Sequence, residues 1–191
     1  MDIHTIISSF KPLDWRSPIH EYPLLYSLVA FFRPRKIFEL GTARGLSAIV
    51  MATALRDWNI DGHIWASEIR PDFCKIAAEN IKQYQMEQWI TLLCGDGRKE
   101  APKHAPYDLA FIDGSHDYNS VKADFTALKD LATHLLFHDS QWPPTPDVKK
   151  FVDECRALQE YDIINLKSAE YDIGSCGLAI FMYVGKMLGR V

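Results

Sequence analysis

Acidic and histidine side chains directly follow two neighbouring apolar runs in the 191-residue sequence. Asp113 ends one run, with His116 three residues further on, and His138 and Asp139 end the next. An imidazole is suited to removing a proton near neutral pH. Asp113 and Asp139 offer the oxygen ligands that magnesium prefers. These residue types indicate proton removal by an imidazole, with a divalent cation that could assist it.

A glycine-containing turn lies further upstream, between a predicted strand and a predicted helix. Gly41 and Gly45 let the chain bend sharply and let a ligand approach the backbone, and the N-terminus of the following helix attracts anions. Ala43 and Leu46 occupy two glycine positions of the dinucleotide-binding pattern. The turn therefore suits a ligand without phosphate, with an amino-acid carboxylate at the helix terminus, better than a pyrophosphate.

Two more acidic residues follow predicted strands. Glu68 ends the second strand, where a carboxylate can accept both hydroxyl protons of a ribose. Asp96 follows the third strand and can accept a proton from an adenine amino group, while Gly95 and Gly97 leave room for the base. Because open α/β sheets bind ligands at the carboxyl ends of their strands, this order of polar groups indicates an adenosyl compound.

Strand and helix patterns that would position these residues alternate along the chain. Apolar residues at helical spacing predict a helix over 22–32, which Pro34 ends. The predicted strands are 36–40, 64–67, 90–94, 109–112, 135–137, 163–166 and 178–184. The predicted helices between them are 46–55, 71–85, 118–131 and 147–158. No helix separates the last two strands.

This order predicts an α/β fold in three layers (α/β/α), with a doubly wound, mainly parallel, Rossmann-like sheet. The last two strands predict an antiparallel hairpin at one edge. The length suits one domain over 1–191, with an N-terminal helical segment at 1–33 and a Rossmann-like core at 34–191.

Composition restricts the kinds of partner. The chain is 48% hydrophobic, which allows a sizeable core, and its formal net charge of -4 argues against binding to nucleic acid or a membrane surface. No apolar run approaches the ~20 residues that span a bilayer, and the N-terminus lacks the layout of a signal peptide. We expect a cytoplasmic protein with no nucleic-acid or membrane partner; whether it forms a homo-oligomer is left open.

The four cysteines are widely spaced. Cys74, Cys94, Cys155 and Cys176 show no C-x-x-C spacing, which a zinc site or a disulfide framework would favour. Thiols in apolar runs behave as small hydrophobic groups. We therefore expect neither zinc nor a disulfide.

The motifs together resemble class I S-adenosylmethionine-dependent methyltransferases. The similarity rests on Glu-Leu-Gly-Thr-Ala-Arg-Gly-Leu-Ser at 39–47, Ser-Glu at 67–68 and Gly-Asp-Gly at 95–97. Phe-Ile-Asp-Gly-Ser-His-Asp-Tyr at 111–118, followed by Val-Lys-Ala-Asp at 121–124, is most similar to the subgroup of macrocin-type, caffeoyl-CoA-type and catechol-type O-methyltransferases.

The resemblance implies S-adenosylmethionine as cofactor and a small hydroxylated molecule, a sugar or a phenol, as methyl acceptor. The cofactor-binding residues it implies are Glu39, Gly41, Thr42, Ala43, Gly45, Ser47, Glu68, Ile69, Asp96, Gly97 and Asp113. It also implies that His116 is the base beside Asp113, and that Asp113 and Asp139 bind a divalent metal. His138 stands where related enzymes carry a second acid, and with this softer ligand the site would either favour manganese or another transition ion or bind metal weakly.

Two alternatives remain open. A non-catalytic module that binds S-adenosylmethionine is consistent with the histidine at position 138. A nucleotide-dependent oxidoreductase is disfavoured by the missing middle glycine of the dinucleotide pattern. Trp142, beside a proline-rich loop, is expected either to cover the acceptor or to pack in the core.

Overall fold

The computed structural model describes residues 1–10, 21–141, 143–166 and 177–183. Trp142, Cys176 and Val184, each part of a sequence expectation, lie outside these residues. The described strands are β1 (Lys36–Leu40), β2 (His63–Glu68), β3 (Ile90–Cys94), β4 (Tyr107–Ile112), β5 (Ala132–Phe137), β6 (Tyr161–Leu166) and β7 (Leu178–Tyr183).

These strands form a single sheet in the order β3-β2-β1-β4-β5-β7-β6. The pairs from β3 through β5 are parallel. β7 is antiparallel to both β5 and β6. The predicted doubly wound sheet and its antiparallel edge hairpin are thus confirmed. The strand order reverses direction between β1 and β4, which places a crevice for ligands at their carboxyl ends.

Helices cover both faces of the sheet. They are α1 (Ile3–Ser9), α2 (Glu21–Phe32), α3 (Leu46–Asp57), α4 (Pro71–Gln83), α5 (Gly97–Glu100), α6 (Tyr118–Leu128) and α7 (Pro146–Ala157). α1 lies within the predicted N-terminal helical segment, although its bounds were not predicted, and the single-turn α5 was not predicted from the sequence. Within the described ranges, no helix combines the length and the apolar character needed to cross a membrane.

The core consists of two apolar clusters, one on each face of the sheet. Residues of α1 to α4, such as Ile49 and Ile81, pack with Ile37 on one face. Residues of α6 and α7, such as Phe151, pack with Phe38 on the other. Neighbouring residues of β1 therefore point to opposite faces, as a strand requires, and the three-layer arrangement is confirmed.

The ends of the central strands are joined by backbone hydrogen bonds. In each case the residue that follows one strand donates its N–H to a carbonyl near the end of the neighbouring strand. The pairs are Gly41 to Ser67 (3.0 Å), Gly95 to Glu68 (2.9 Å), Asp113 to Leu40 (2.9 Å) and His138 to Ile112 (3.1 Å). The sheet thus fixes the backbone of four residues where the predicted site begins.

The expectation about the cysteines is wrong for one pair. Cys74 in α4 and Cys94 at the end of β3 form a disulfide, with their Cα atoms 5.8 Å apart. The two are separated by 20 residues in the sequence, and the packing of α4 against β3 brings them together. Spacing along the chain does not reveal such tertiary contacts. Cys155 is buried and free, as expected.

Candidate active site

A cleft of about 380 Å³ opens at the carboxyl ends of the central strands. Seven of the residues predicted to bind the cofactor line it: Gly41, Ala43, Glu68, Ile69, Asp96, Gly97 and Asp113. The other four, Glu39, Thr42, Gly45 and Ser47, are not part of its lining. The cleft takes its shape from the turn after β1 on one side and from the segment after β4 on the other.

The turn after β1 has a backbone that only glycine accommodates at its first position. Gly41 has a φ of +92°, and a Cβ there would lie 2.2 Å from the carbonyl oxygen of Asp113. Ala43 and Gly45 also have positive φ angles, of 49° and 88°. The two strand ends can approach each other this closely because position 41 has no side chain.

Glu68 is oriented by the backbone on both sides of the cleft. Its Oε2 accepts a hydrogen bond from Ala43 N and its Oε1 accepts one from Arg70 N, each at 2.8 Å. A carboxylate oxygen has two lone pairs, so each oxygen keeps capacity for a further donor. The carboxylate is therefore fixed beside the cleft and can still accept hydroxyl protons from a ribose.

Asp96 accepts a hydrogen bond from Arg98 N at 3.1 Å and caps α5. The Arg98 side chain extends to Asp124 of α6, with 2.6 Å between Nε and Oδ1. Both members of this ion pair line the cleft, and neither was assigned a role from the sequence. Burial raises the pKa of Asp124 above its ordinary value, although Arg98 opposes the shift. The Val-Lys-Ala-Asp segment was the available signal for Asp124.

Glu39 lies beneath the glycine turn, on the face of β1 that it shares with Ile37. It is fully buried, and its carboxylate makes no well-aligned hydrogen bond among the described residues. Burial raises the pKa of Glu39 to about 7, while the nearby hydroxyls of Ser47 and Thr42 lower it. A buried, unsatisfied carboxylate next to the cleft suits the ammonium group of an amino-acid ligand.

A second cluster adjoins the cleft through Asp113. His116 Nε2 lies 3.1 Å from Asp139 Oδ2 and 3.6 Å from Asp113 Oδ1. His138 Nδ1 lies 3.2 Å from an oxygen of each aspartate. Asp139 holds a left-handed backbone conformation, with a φ of 54°, which is uncommon outside glycine and is often found at functional sites. The structure thus brings together the four residues with which the sequence analysis began.

Glu21 is a member of this cluster that sequence reasoning missed. Its Oε2 lies 2.7 Å from His138 Nε2. Glu21 begins α2, more than a hundred residues before its partner, and it is only 1% exposed. An acidic residue at the start of a helix is common, so nothing in the local pattern distinguished it.

The carboxylates in this cluster hold protons on the imidazoles. Burial alone would lower the pKa of His116, but Asp113 and Asp139 raise it to about 9. They likewise raise the pKa of His138 well above its usual value, although burial opposes this. In return, His138 and His116 hold the pKa of Asp139 below its usual range, although burial opposes this. A pKa of about 9 keeps a proton on His116 near neutral pH.

The donor atoms of the cluster fit a divalent cation. Two groups of side chains place their donors within 4.8 Å of one another: Asp113 with His116 and His138, and Glu21 with His138 and Asp139. Neighbouring ligands around a cation at about 2.1 Å are separated by roughly 3.0–3.4 Å, close to the contacts described above. The predicted ligands Asp113, His138 and Asp139 divide between the two groups, with His138 common to both.

This chain is similar in sequence to curated proteins and in fold to solved structures. Curated relatives include the protein-L-isoaspartate O-methyltransferase of Staphylothermus marinus, 35% identical over 78 residues (40% of this chain, 35% of the relative). That of Ignicoccus hospitalis is 37% identical over 80 residues (42% of this chain, 36% of the relative). The alignments thus cover little more than a third of the relatives' length.

Solved structures share the fold over nearly the whole chain. The O-methyltransferase TomG from Streptomyces achromogenes, in complex with SAM, has a TM-score of 0.73 at 19% identity and covers 96% of this chain and 88% of its own. The O-methyltransferase from Bacillus cereus, in complex with SAH, has a TM-score of 0.73 at 19% identity, with coverages of 94% and 88%.

The family model described as a methyltransferase domain matches residues 38–140. This span includes the glycine turn, the cleft and the Asp113, His116, His138 and Asp139 cluster, but not Glu21. The expected resemblance to class I S-adenosylmethionine-dependent methyltransferases is confirmed, and the chain belongs to the methyltransferase domain family.

Proposed function

We propose that the chain transfers the methyl group of S-adenosylmethionine to a hydroxyl oxygen of a small molecule. The observation that carries the proposal is the position of Asp113. This residue lines the cofactor cleft and also contacts both imidazoles of the neighbouring cluster. Groups suited to holding an adenosyl cofactor and groups suited to proton transfer therefore meet at one strand end.

The cleft supplies binding and orientation. Glu68 is placed to accept the ribose hydroxyls and Asp96 to accept the adenine amino group. The buried carboxylate of Glu39 lies behind the glycine turn, where it offsets the positive charge of the methionine end. Held in this way, the sulfonium methyl group would face the side of the cleft formed by Asp113. An acceptor hydroxyl aligned behind that methyl gains reactivity from proximity alone.

His116 is the residue placed to take the acceptor proton. In the reaction the hydroxyl oxygen bonds to the methyl carbon, the carbon–sulfur bond breaks, and the hydroxyl proton passes to neutral His116 Nε2. Asp113 and Asp139 face the same nitrogen and stabilise the charged form that results. A divalent cation held by Asp113, His138 and Asp139 would place positive charge among the carboxylates and lower the pKa of both the hydroxyl and His116.

Methylation of a carboxylate is the second candidate. The curated relatives are named protein-L-isoaspartate O-methyltransferases, a name that denotes methyl transfer to an aspartyl-type oxygen. A carboxylate is already ionised near neutral pH and needs neither a base nor a metal to activate it. The two imidazoles beside the cleft therefore favour a hydroxyl as the acceptor.

Two measurements test the proposal. In a thermal-shift assay, S-adenosylmethionine and S-adenosylhomocysteine should raise the melting temperature, because a ligand that binds only the folded state stabilises it. NAD and ATP serve as controls, and stabilisation by NAD alone would contradict the assignment. Transfer of a tritiated methyl group to sugars, phenols and an isoaspartyl peptide then identifies the acceptor. Transfer to the peptide alone, unchanged by EDTA, would favour the carboxylate alternative, and binding without transfer would indicate a non-catalytic module.

A further inference from the structure

Glu21 is a buried carboxylate that reaches the reaction centre from outside the matched methyltransferase segment. It begins α2, whose residues Leu25 and Val29 are packed in the core against the sheet. The family match starts only at residue 38. Glu21 therefore belongs to an element whose position relative to the centre is set by core packing.

The contact of Glu21 with His138 is specific. Burying a carboxylate is unfavourable unless a partner compensates for the lost hydration. Among the described residues, Glu21 forms an ion pair with His138 alone, at 2.7 Å between Oε2 and Nε2, and neither of its oxygens makes a well-aligned hydrogen bond. It stands in the first turn of α2, at the positive end of the helix dipole.

The ring of His138 links Glu21 to the aspartates. Its Nε2 faces Glu21, while its Nδ1 lies 3.2 Å from an oxygen of Asp113 and 3.2 Å from one of Asp139. Because the two ring nitrogens lie on different edges of the imidazole, a partner at one nitrogen fixes the direction of the other. Histidines that bind metals usually donate their second ring N–H to a carboxylate or a carbonyl, and this partner sets the tautomer and the orientation of the ring.

We propose that Glu21 is a positioning residue, which holds Nε2 of His138 so that Nδ1 faces Asp113 and Asp139. This inference rests on the proposed function, because the cluster matters as a reaction centre only if the chain transfers methyl groups. It explains how a histidine can stand where related enzymes carry an acid. His138 places Nδ1, a nitrogen that can bind a metal, beside the two aspartates. Glu21 keeps a carboxylate next to Nε2, on the other side of the ring.

The first test is the affinity for Mn²⁺, measured by the loss of the free-ion EPR signal during titration of the purified protein. Glu21→Ala should raise the dissociation constant by about 10- to 100-fold, the usual cost of removing such a partner. Glu21→Gln keeps an acceptor oxygen for Nε2–H and should have a much smaller effect. Tyr26 also lies on α2, and its hydroxyl donates a hydrogen bond to Asp57 of α3. Tyr26→Phe removes only that contact and should leave the affinity for Mn²⁺ unchanged. Equal affinities of the wild type and a folded Glu21→Ala variant would overturn the inference.

The second test needs no metal and no activity. In ¹⁵N-labelled protein, the His138 Nε2–H should give a downfield resonance protected from exchange with water, assigned by its loss in His138→Asn. Glu21→Ala should abolish that protection and Glu21→Gln should retain it. An unchanged resonance in Glu21→Ala contradicts the positioning role. If the wild type shows the protected resonance but binds no Mn²⁺, the metal part of the proposed function fails while the inference about Glu21 stands. Should Glu21→Ala fail to fold, a folded Glu21→Leu variant takes its place, and an unchanged Nε2–H resonance in that variant would overturn the inference.

Discussion

The cofactor cleft and the histidine-aspartate cluster meet at Asp113, yet they are held in different ways. In the cleft, Glu68 and Asp96 are oriented by backbone amides, and glycine lets the turn approach the next strand. In the cluster, Glu21, His116 and His138 are held by other charged side chains. A site built on backbone depends on local conformation, whereas a site built on side chains depends on the packing of distant elements.

The largest effect is expected for His116→Ala, which should change the turnover number without changing the affinity for the cofactor. His116→Ala removes the group placed to accept the proton, so the turnover number should fall by about 10²- to 10⁴-fold, measured by methyl transfer to the acceptor found in the panel. The dissociation constant of S-adenosylmethionine, measured by calorimetry, should stay the same because His116 does not line the cleft. His63→Ala, at the amino end of β2, is the matched control and should change neither value. A comparable loss of cofactor affinity in His116→Ala would show that the regions are not separable.

The disulfide adjoins residues of the cleft. It joins Cys74, which follows the cleft residue Phe73, to Cys94, which precedes the cleft residue Gly95. Replacing both cysteines by serine should lower the free energy of unfolding by roughly 3 kcal/mol, the expected contribution of a loop of this length, as measured by urea denaturation. Dithiothreitol should destabilise the wild type by a similar amount and leave the double variant unaffected. If the reductant has no effect on the wild type, the disulfide does not constrain the protein.

Within the part of the chain that the structure describes, the buried carboxylate of Glu39 beside the cleft has no well-aligned hydrogen-bond partner. Its pKa is raised to about 7 by burial, with Asp113 and Glu68 adding repulsion, so the folded state binds its proton more tightly than the unfolded state. The stability of the free wild type, relative to Glu39→Gln, should therefore fall by about 2 kcal/mol as the pH rises from about 5 to about 8. Parallel stability profiles of the two proteins would contradict this. Saturating S-adenosylmethionine should reduce the difference, since its ammonium group compensates the charge.

The smallest effect concerns the hydrogen bonds of Glu68. Glu68→Gln keeps one acceptor oxygen but loses the charge and the second acceptor, so either Ala43 N or Arg70 N loses its partner. We expect the dissociation constant of S-adenosylmethionine to rise by about tenfold, with an unchanged turnover number at saturating cofactor. Isothermal calorimetry and saturation kinetics measure the two quantities. A fall in the turnover number as large as that of His116→Ala would mean that the cleft takes part in the chemical step.

The sequence predicted the features that depend on short segments better than those that depend on contacts between distant segments. The strand ends and the glycine turn were found because a positive φ at Gly41 and a polar residue after an apolar run are properties of short segments. The predicted helix over 118–131 ends earlier, at Leu128, because the carbonyl of Leu131 accepts a hydrogen bond from Tyr107 N in the sheet. That partner is supplied by the tertiary structure.

Residues missed by the sequence analysis act through contacts between distant segments. Glu21 meets His138, Arg98 meets Asp124, and Cys74 meets Cys94 only after the helices have packed on the sheet. The same packing raises the pKa of His116, which its isolated sequence position could not indicate. The residue types suggested the chemistry, but their partners and charge states are determined by the groups that tertiary packing brings beside them.

The hydrogen bonds that join the strand ends have a consequence for how such a site can diversify. The first residue beyond each of four strands is held by a carbonyl of its neighbour, so these residues keep their relative positions whatever follows them. Loops beyond these points can change in length and composition at modest cost in chain entropy. Changes in these loops could thus create a new acceptor pocket while the reacting groups keep their relative positions.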